Sequence, residues 1–519
     1  MRARADLALT RRTLLGGTAL ASLSALSSCG RSARDRERSA ASDGPVQRGG
    51  VLRVGAIGDR SKLMQDPHGL LGNDSDFLIM SLAFDPLTIP GEDTNVQPRQ
   101  AASWTTPDGG KTWVFSLQEK AAFWDGTPVT ADDVVFSLQR LRKDPANAFK
   151  VPVPADGITA LDRHTVQLVG EAPNADLPLL LRMMTFTVKA KAASEGEFIG
   201  SGPFRLVSSS QGNARLERNE HWWGPTPPLD AIEVVLFTTT DAMGRALMAG
   251  QIDLASNAGA LVARTVKGRE DILELRRPDD LALPIIMRVA DGPFADPRVR
   301  TAMKLIADRE ALVSRALSGY GAVANDVLGT ADPLYDAAAI PQRVQDLTRA
   351  RALLREVGFD TSRTYTLHTL DRAYGQVSSA QVFAEQAAGA GVRIQVQVED
   401  TQTFYDTVWC KADLYNFSWG TNDSVSFYAQ KVLSSASSTN ETGWANPRFE
   451  EAYARYEKDT APQQRAHWSQ AMQKEIHEDS GYLLWGVADG VDLHHRSVHG
   501  LPRRPGYGRV YLEQVWIQR

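Results

Sequence analysis

Two cysteines, nine histidines and a scattering of acidic pairs are the residues through which this 519-residue chain could do chemistry. Their spacing argues against catalysis. The sequence contains no His-Glu-x-x-His pair, no Gly-x-Ser-x-Gly elbow and no phosphate-cradling glycine loop. Asp132 and Asp133 are adjacent, so they cannot stand on opposite sides of a scissile bond as glycosidase carboxylates do. His494, His495 and His499 form the one close histidine group, and in a polar turn they read as solvated side chains rather than metal ligands. The two thiols, Cys29 and Cys410, exclude a disulfide scaffold and a Cys-only zinc site. Cys410 lies beside Trp409 and before an apolar run, which suggests a small buried hydrophobe rather than a nucleophile. The expectation is a protein that is not an enzyme and that needs neither metal nor cofactor.

The charge balance is 57 basic against 62 acidic residues, a formal −5, which carries no basic footprint for nucleic acid. The length is enough for two or three lobes with substantial cores. Ahead of Cys29, Arg2, Arg4, Arg11 and Arg12 form a positive segment, and Leu14 to Leu26 an apolar run too short for a membrane span. The pair in TRRTLLGG resembles a twin-arginine export signal, with general secretion as the alternative. Leu26 to Cys29, LSSC, resembles a bacterial lipoprotein cleavage box. That resemblance implies a signal peptide over 1–28 and a lipid on Cys29. The protein would then be anchored at the outer face of the cytoplasmic membrane. Residues 29–49 are polar, with almost nothing to pack, and read as a flexible tether.

The body alternates strands and helices. Val51 to Gly58 reads as the first strand, and TWVFSLQ, HTVQLVG, ARLERN and AIEVVLF as further ones. Between TWVFSLQ and HTVQLVG, Asp125 to Pro128 supplies turn residues. Thr130 with Asp133 three residues on forms a capping box for a helix that buries Val134, Val135 and Leu138. Asp241 opens a helical stretch ending at Gly250, and QIDLAS follows as a strand or edge. Phe294 to Leu317 reads as a proline-led helix, a break and a second helix; Leu347 to Val357 reads as another. TYTLHTL and VRIQVQVED flank the helical QVFAEQAAGA as a crossover unit, and GYLLWGVADG and VYLEQVWI close the chain as strands.

The segment from Trp113 to Leu138 resembles the signature of the bacterial peptide/nickel family of extracytoplasmic solute-binding proteins, family 5. Lys120, Phe123, Asp125, Gly126, Pro128, Thr130, Ala131, Asp133, Val134, Phe136 and Ser137 stand in its register, and Trp124 replaces the usual histidine. Four more segments resemble the family in order: GSGPF from Gly200, NEHWW from Asn219, FADPRVRTAMKLIADREALV from Phe294 and SWGTNDSVSF from Ser418. The resemblance implies an α/β, two-lobed periplasmic-binding-protein fold with mixed sheets, hinge crossings and an inserted subdomain in the first lobe. The implied first lobe covers 50–281, with the insertion at about 88–198; the second lobe covers 282–489, and 490–519 returns to the first. Most of the signature is structural: Asp125 and Gly126 serve a turn, Asp133 a helix start, and Arg298 and Arg300 are solvated or paired.

The resemblance further implies a monomer that binds a peptide or peptide-like solute in the interlobe cleft and delivers it to the permease of an ABC importer. Alternatives are an oligosaccharide, an opine-like conjugate or a metal–siderophore complex, or a ligand-sensing lipoprotein without transport. In oligopeptide binders of the family, an aspartate three residues after a tryptophan meets the ligand's α-amino group. Here Trp419 is followed at that spacing by neutral Asn422, with Asp423 next. Either Asp423 takes the anchor role or the ligand lacks a free amine there, because an asparagine offers an ammonium only a neutral hydrogen bond. Asp85, in AFDPL, resembles the family's acidic residue on the hinge side, and reads otherwise as a turn aspartate. Phe427, Trp444 and Trp485 complete the candidates, as aromatic faces able to line a cleft or fill a core.

Overall fold

The computed structural model describes residues 45–519 except 59–65, 70–72, 92–95, 183, 211–212, 331, 371–374, 401–402, 422–423, 460 and 505. Cys29 and the signal segment therefore lie outside the described residues, as does the tether up to residue 44.

Strand β1 (Val51–Ile57) starts with alternating burial and ends apolar throughout, as a strand flanked by parallel neighbours should. Strands β2 (Ala101–Thr105), β3 (Thr112–Leu117), β4 (Ile158–Asp162) and β5 (Thr165–Val169) form a separate antiparallel sheet in the order β2-β3-β5-β4. Next come β6 (Phe204–Ser210), β7 (Asn213–Arg218), β8 (Ala231–Phe237) and β9 (Leu254–Ala255). The long β10 (Ile272–Met287) is followed by β11 (Thr364–Leu370), β12 (Arg393–Glu399), β13 (Leu414–Asn416) and the long β14 (Tyr482–His495). The main sheet runs β12-β11-β13-β10-β14-β9-β1-β8-β7-β6. Its β11–β12 and β1–β8 pairs are parallel and its β7–β8 and β10–β14 pairs antiparallel, so the sheet is mixed.

The fold is two-lobed α/β, and β10 and β14 run from one lobe into the other. Residues 272–277 of β10 pair with 490–495, and 281–286 with 482–488, with a register shift between Arg277 and Leu281. At that shift Asp279 has φ 56°, a left-handed conformation an aspartate tolerates in a bulge. Arg277, 1% exposed, holds Asp492 on the neighbouring strand through two hydrogen bonds of 2.8 and 2.6 Å. A bidentate buried pair pins the two crossing strands to each other where the ladder is interrupted.

Helix α1 (Asp74–Ala83) packs against the β1–β8 lobe. Helix α2 (Ala131–Leu141) opens on the Thr130/Asp133 box: the Asp133 side chain accepts from the Thr130 backbone N–H at 3.0 Å. It covers the four-stranded sheet, whose own core contains Phe115, Val134, Leu138, Val166 and Leu168. The Asp125 turn is present too, with Gly126 at φ 81° and the Asp125 carboxylate accepting from the Thr127 backbone at 3.0 Å. In the second lobe α3 (Pro297–Ile306) and α4 (Arg309–Ala316) stand at the proline-led segment, the break falling at Ala307 and Asp308. Helix α5 (Gln376–Gly389) makes the β11–β12 crossover, and α6 (Pro447–Lys458) packs on α7 (Pro462–Asp479).

One sequence expectation fails. VYLEQVWI is not a strand: only Trp516–Ile517 pairs, with Val498–His499, and Gly506–Val510 is a 3-10 turn. Val510, Tyr511 and Leu512 are consecutive and all buried, a pattern that a half-exposed strand cannot give. The stretch is held by side chains instead, with Glu513 against Arg99 at 2.8 Å and Arg509 against Asp74 at 2.8 Å.

Candidate functional site

The short strand Trp419–Gly420 pairs with Leu281 and Ala282, just where β10 resumes after its register shift. Trp419 is thereby placed beside the crossing strands, half-buried, with its ring edge-on to Phe417 at 5.4 Å and to Tyr428 at 6.3 Å. The Tyr428 hydroxyl donates to the Gly420 carbonyl, tying the short helix Val425–Tyr428 to that strand. Ser424 caps this helix, its hydroxyl accepting from the Phe427 N–H at 3.1 Å. Phe427 then meets Phe149 of the four-stranded subdomain at 5.8 Å.

Further contacts span the seam between the subdomain and the second lobe. Arg465 donates to Asp176 at 2.7 Å, the Tyr456 hydroxyl donates to the same carboxylate at 3.2 Å, and the Lys431 ammonium stands 4.1 Å over the Phe149 ring. An opening of about 300 Å³ also lies on this seam, lined by Arg142, Pro154, Glu171 and Asn174 on one side and Gln430 and Glu457 on the other. A slightly larger one, about 340 Å³, sits elsewhere, at the amino ends of β11 and β13 beside Arg363, His368 and Asp413.

Behind Trp419 lies a group that sequence reasoning missed. Glu441 is fully buried, and its carboxylate accepts from Trp409 Nε1 at 2.6 Å, Trp419 Nε1 at 3.2 Å and the Tyr482 hydroxyl at 2.5 Å. Three neutral donors surround it, and no cation is within ion-pair distance among the described residues. Burial pushes its carboxyl up to about 7, against the lowering effect of those three hydrogen bonds and of the more distant Lys431. The signal available in the sequence was a lone acidic residue in NETGW, which nothing local distinguishes from a surface glutamate.

Of the other candidates, Trp444 shares the core of Phe427, whereas Asp85 and Trp485 lie elsewhere. Asp85 is 0% exposed and faces Arg99 at 2.7 Å and Ser201 at 3.3 Å; Arg99 also holds Glu513. Burial raises the Asp85 carboxyl while Arg99 opposes that rise, and the side chain has no exposed surface to offer a solute. Trp444, 2% exposed, packs tilted against Phe449 at 4.9 Å and donates to Asp479 at 2.8 Å. Trp485 is fully buried in the core formed with Leu283, Ile285 and Phe294. Tyr482 and Leu484 belong to the core that holds Phe427, whereas Leu483 and Trp485 belong to the opposite one, as strand alternation requires. Asn422 and Asp423 lie outside the described residues. Of the candidates, Trp419, Phe427 and Trp444 share one core, and Trp419 and Phe427 each pack against Tyr428.

Cys410 is half-buried, and burial, with Glu441 adding to it, pushes its thiol up to about 12. Among the described residues no group of three His, Cys, Asp or Glu side chains could hold a metal ion. Arg298 pairs with Asp296 at 2.8 Å and Arg300 with Asp479 at 2.5 Å.

Residues 95–440 match the family described as bacterial extracellular solute-binding proteins, family 5 Middle. The glutathione-binding protein GsiB of Shigella flexneri serotype 5b is 25% identical over 431 residues, which cover 79% of this chain and 84% of that relative. The substrate-binding protein CtaP of Listeria monocytogenes superposes with a TM-score of 0.80 at 19% identity, over 91% of this chain and all of that one. AgaA of A. tumefaciens R10, solved with agropinic acid, gives 0.78 at 20% identity, over 91% of this chain and 99% of its own. The two structural likenesses establish the fold.

Proposed function

The chain belongs to the bacterial extracellular solute-binding proteins of family 5, and from that premise we propose that it captures a peptide or peptide-like solute at the seam between its lobes and presents it to an ABC importer. No chemical step is involved, since the family is one of binding proteins that work outside the cytoplasm. Capture is a population shift: the solute binds both lobes at once, and the closed arrangement gains exactly that differential affinity. The observation that carries this reading is the Phe149–Phe427 contact beside Trp419, which joins the subdomain to the second lobe at the crossing strands. The glutathione ligand named for GsiB is itself a small peptide, which supports the substrate class. Lipid on Cys29 would hold the protein at the membrane beside its permease.

Native mass spectrometry of protein purified from its own host identifies the co-purified solute. Small-angle scattering then follows its removal and return, with compaction expected on rebinding. An unchanged scattering profile at saturation refutes the closure mechanism. Labelled palmitate should enter the wild-type chain and not a Cys29→Ser variant.

A further inference from the structure

The register shift in β10 is a junction between three segments. Asp279 and Asp280 fall between the part of β10 that pairs with 490–495 and the part that pairs with 482–488, and neither residue pairs with β14 itself. Their carbonyls are left over from the ladder, as those of a bulge are, and one residue of the second lobe uses both. Thr421, fully buried, donates its backbone N–H to the Asp280 carbonyl at 3.1 Å and its hydroxyl to the Asp279 carbonyl. It follows directly on the short strand Trp419–Gly420 and is followed in the chain by Asn422 and Asp423. On the strand side, Asp489 of β14 accepts from the Asp279 N–H at 3.3 Å and pairs with Arg276.

The other lobe reaches the same junction through the Asp280 side chain. Asp280 is 1% exposed, and its carboxylate accepts from the Gly506 N–H. Gly506 opens the turn Gly506–Val510, in which Arg509 is tied to Asp74 of α1 and Val510 is packed in the core of Leu52 and Val54. The Asp280 carboxylate also lies against β14 at Gly490, where a Cβ would meet Oδ2 at 2.7 Å, closer than side chains tolerate. The glycine at 490 is what gives the carboxylate its room. Among the described residues, the Gly506 N–H is the one hydrogen-bond donor to that carboxylate, and no cation stands within ion-pair distance. A buried carboxylate with a single donor is costly to part from it, so the turn at Gly506 and the bulge move as one piece.

We propose that Asp280 and Thr421 are positioning residues for solute capture: through the bulge they couple the loop entered at Thr421 to the turn at Gly506, so that a solute ordering the loop also sets the angle between the lobes. This deepens the solute-binding reading and rests on it. Both side chains are buried and act through the bulge rather than on the solute. Coupling is reciprocal, so loosening either end loosens the other. A residue that only stabilised its own lobe would have no such effect at a distance.

The test uses the full chain stripped of bound solute, as wild type, Thr421→Val, Thr421→Ser, Asp280→Ala and Asp280→Asn. Valine removes the hydroxyl that serine keeps, and alanine removes the acceptor that asparagine keeps in part. Hydrogen exchange read by mass spectrometry follows the amides of Thr421 and Gly506. Thr421→Val should speed exchange at Gly506 by roughly five-fold or more, and Asp280→Ala should do the same at Thr421. The Ser and Asn variants should stay near wild type at both amides. A tripeptide library is then added, with retained species read by native mass spectrometry and compaction by small-angle scattering. The Val and Ala variants should retain peptide roughly five-fold less than wild type and compact less at saturation, and the Ser and Asn variants should recover both. Should Asp280→Ala not fold, Gly490→Ala, whose Cβ displaces the carboxylate, takes its place. Exchange that rises only at the altered end overturns the proposal, whatever the affinity does. Coupled exchange with wild-type retention and compaction in every variant also overturns it, while leaving solute capture standing. If wild type neither retains peptide nor compacts, the peptide reading falls, and the exchange alone upholds or overturns the coupling.

Discussion

Glu441→Gln tests whether a charged carboxylate sits in the aromatic cage behind Trp419. The group is fully buried, and burial raises its carboxyl from an ordinary 4.5 to about 7. A folded-state value above the unfolded one means that the native protein holds this proton after the unfolded chain has released it. Stability is then lost as pH rises from about 4.5 to about 7, and the loss is complete above that window. A shift of this size corresponds to roughly 3 kcal/mol, a large fraction of a typical domain's stability. Glutamine cannot ionise, so the variant lacks this slope. It also replaces one acceptor oxygen by an amide NH2, leaving one or two of the Trp409, Trp419 and Tyr482 donors short of a partner; that cost, about 1–3 kcal/mol, is independent of pH. Urea unfolding of solute-free protein at pH 5, 6, 7 and 8 separates the two effects. The wild-type-minus-variant difference should fall by roughly 2.5 kcal/mol from pH 5 to pH 8, with every titration common to both proteins cancelling. Parallel curves would refute the reasoning, and a difference that grows with pH would show that the donors, not burial, dominate the site.

Asp85→Ala leaves Arg99 buried with one carboxylate instead of two, and should cost about 3–5 kcal/mol in chemical denaturation while solute affinity in the surviving fold stays within two-fold of wild type, about. Arg465→Met removes the Asp176 contact across the seam; solute affinity measured by calorimetry should fall roughly five- to ten-fold, and an unchanged affinity would mean that this pair does not form on closure. Cys410, its thiol pushed up to about 12, should react with iodoacetamide at pH 8 roughly a thousand-fold more slowly than a free cysteine; peptide mapping of the alkylated residue checks this, and rapid labelling would refute the buried, anion-flanked environment.

Much of the fold was readable from local pattern. The Thr130/Asp133 box, the proline-led pair of helices from Pro297 and the β11–α5–β12 crossover are where periodicity and turn residues put them. Those signals are local because hydrogen-bond caps and strand alternation involve residues a few positions apart. The C-terminal stretch misled for the same reason: apolar Val510 to Val515 looks like a strand, yet it is fastened by Arg509 to Asp74 and by Glu513 to Arg99, partners hundreds of residues away.

The site was less legible. Trp419 was found through its place in a motif, but nothing in composition separates Phe427 from Trp444 and Trp485, which the packing sends to Asp479 and to the opposite core. What the sequence determined by itself is the family, the α/β alternation and the residue types available, because each is written in short-range spacing. Only the tertiary structure decided that Glu441 lies behind Trp419, that Asp85 belongs to Arg99, and that Lys431 stands over Phe149 at the seam. Those encounters depend on β10 and β14 running between the lobes and on the subdomain meeting the second lobe at Phe149. A charge is indifferent to its neighbours in sequence, and its energy is set by whichever groups the folded chain places within a few ångströms of it.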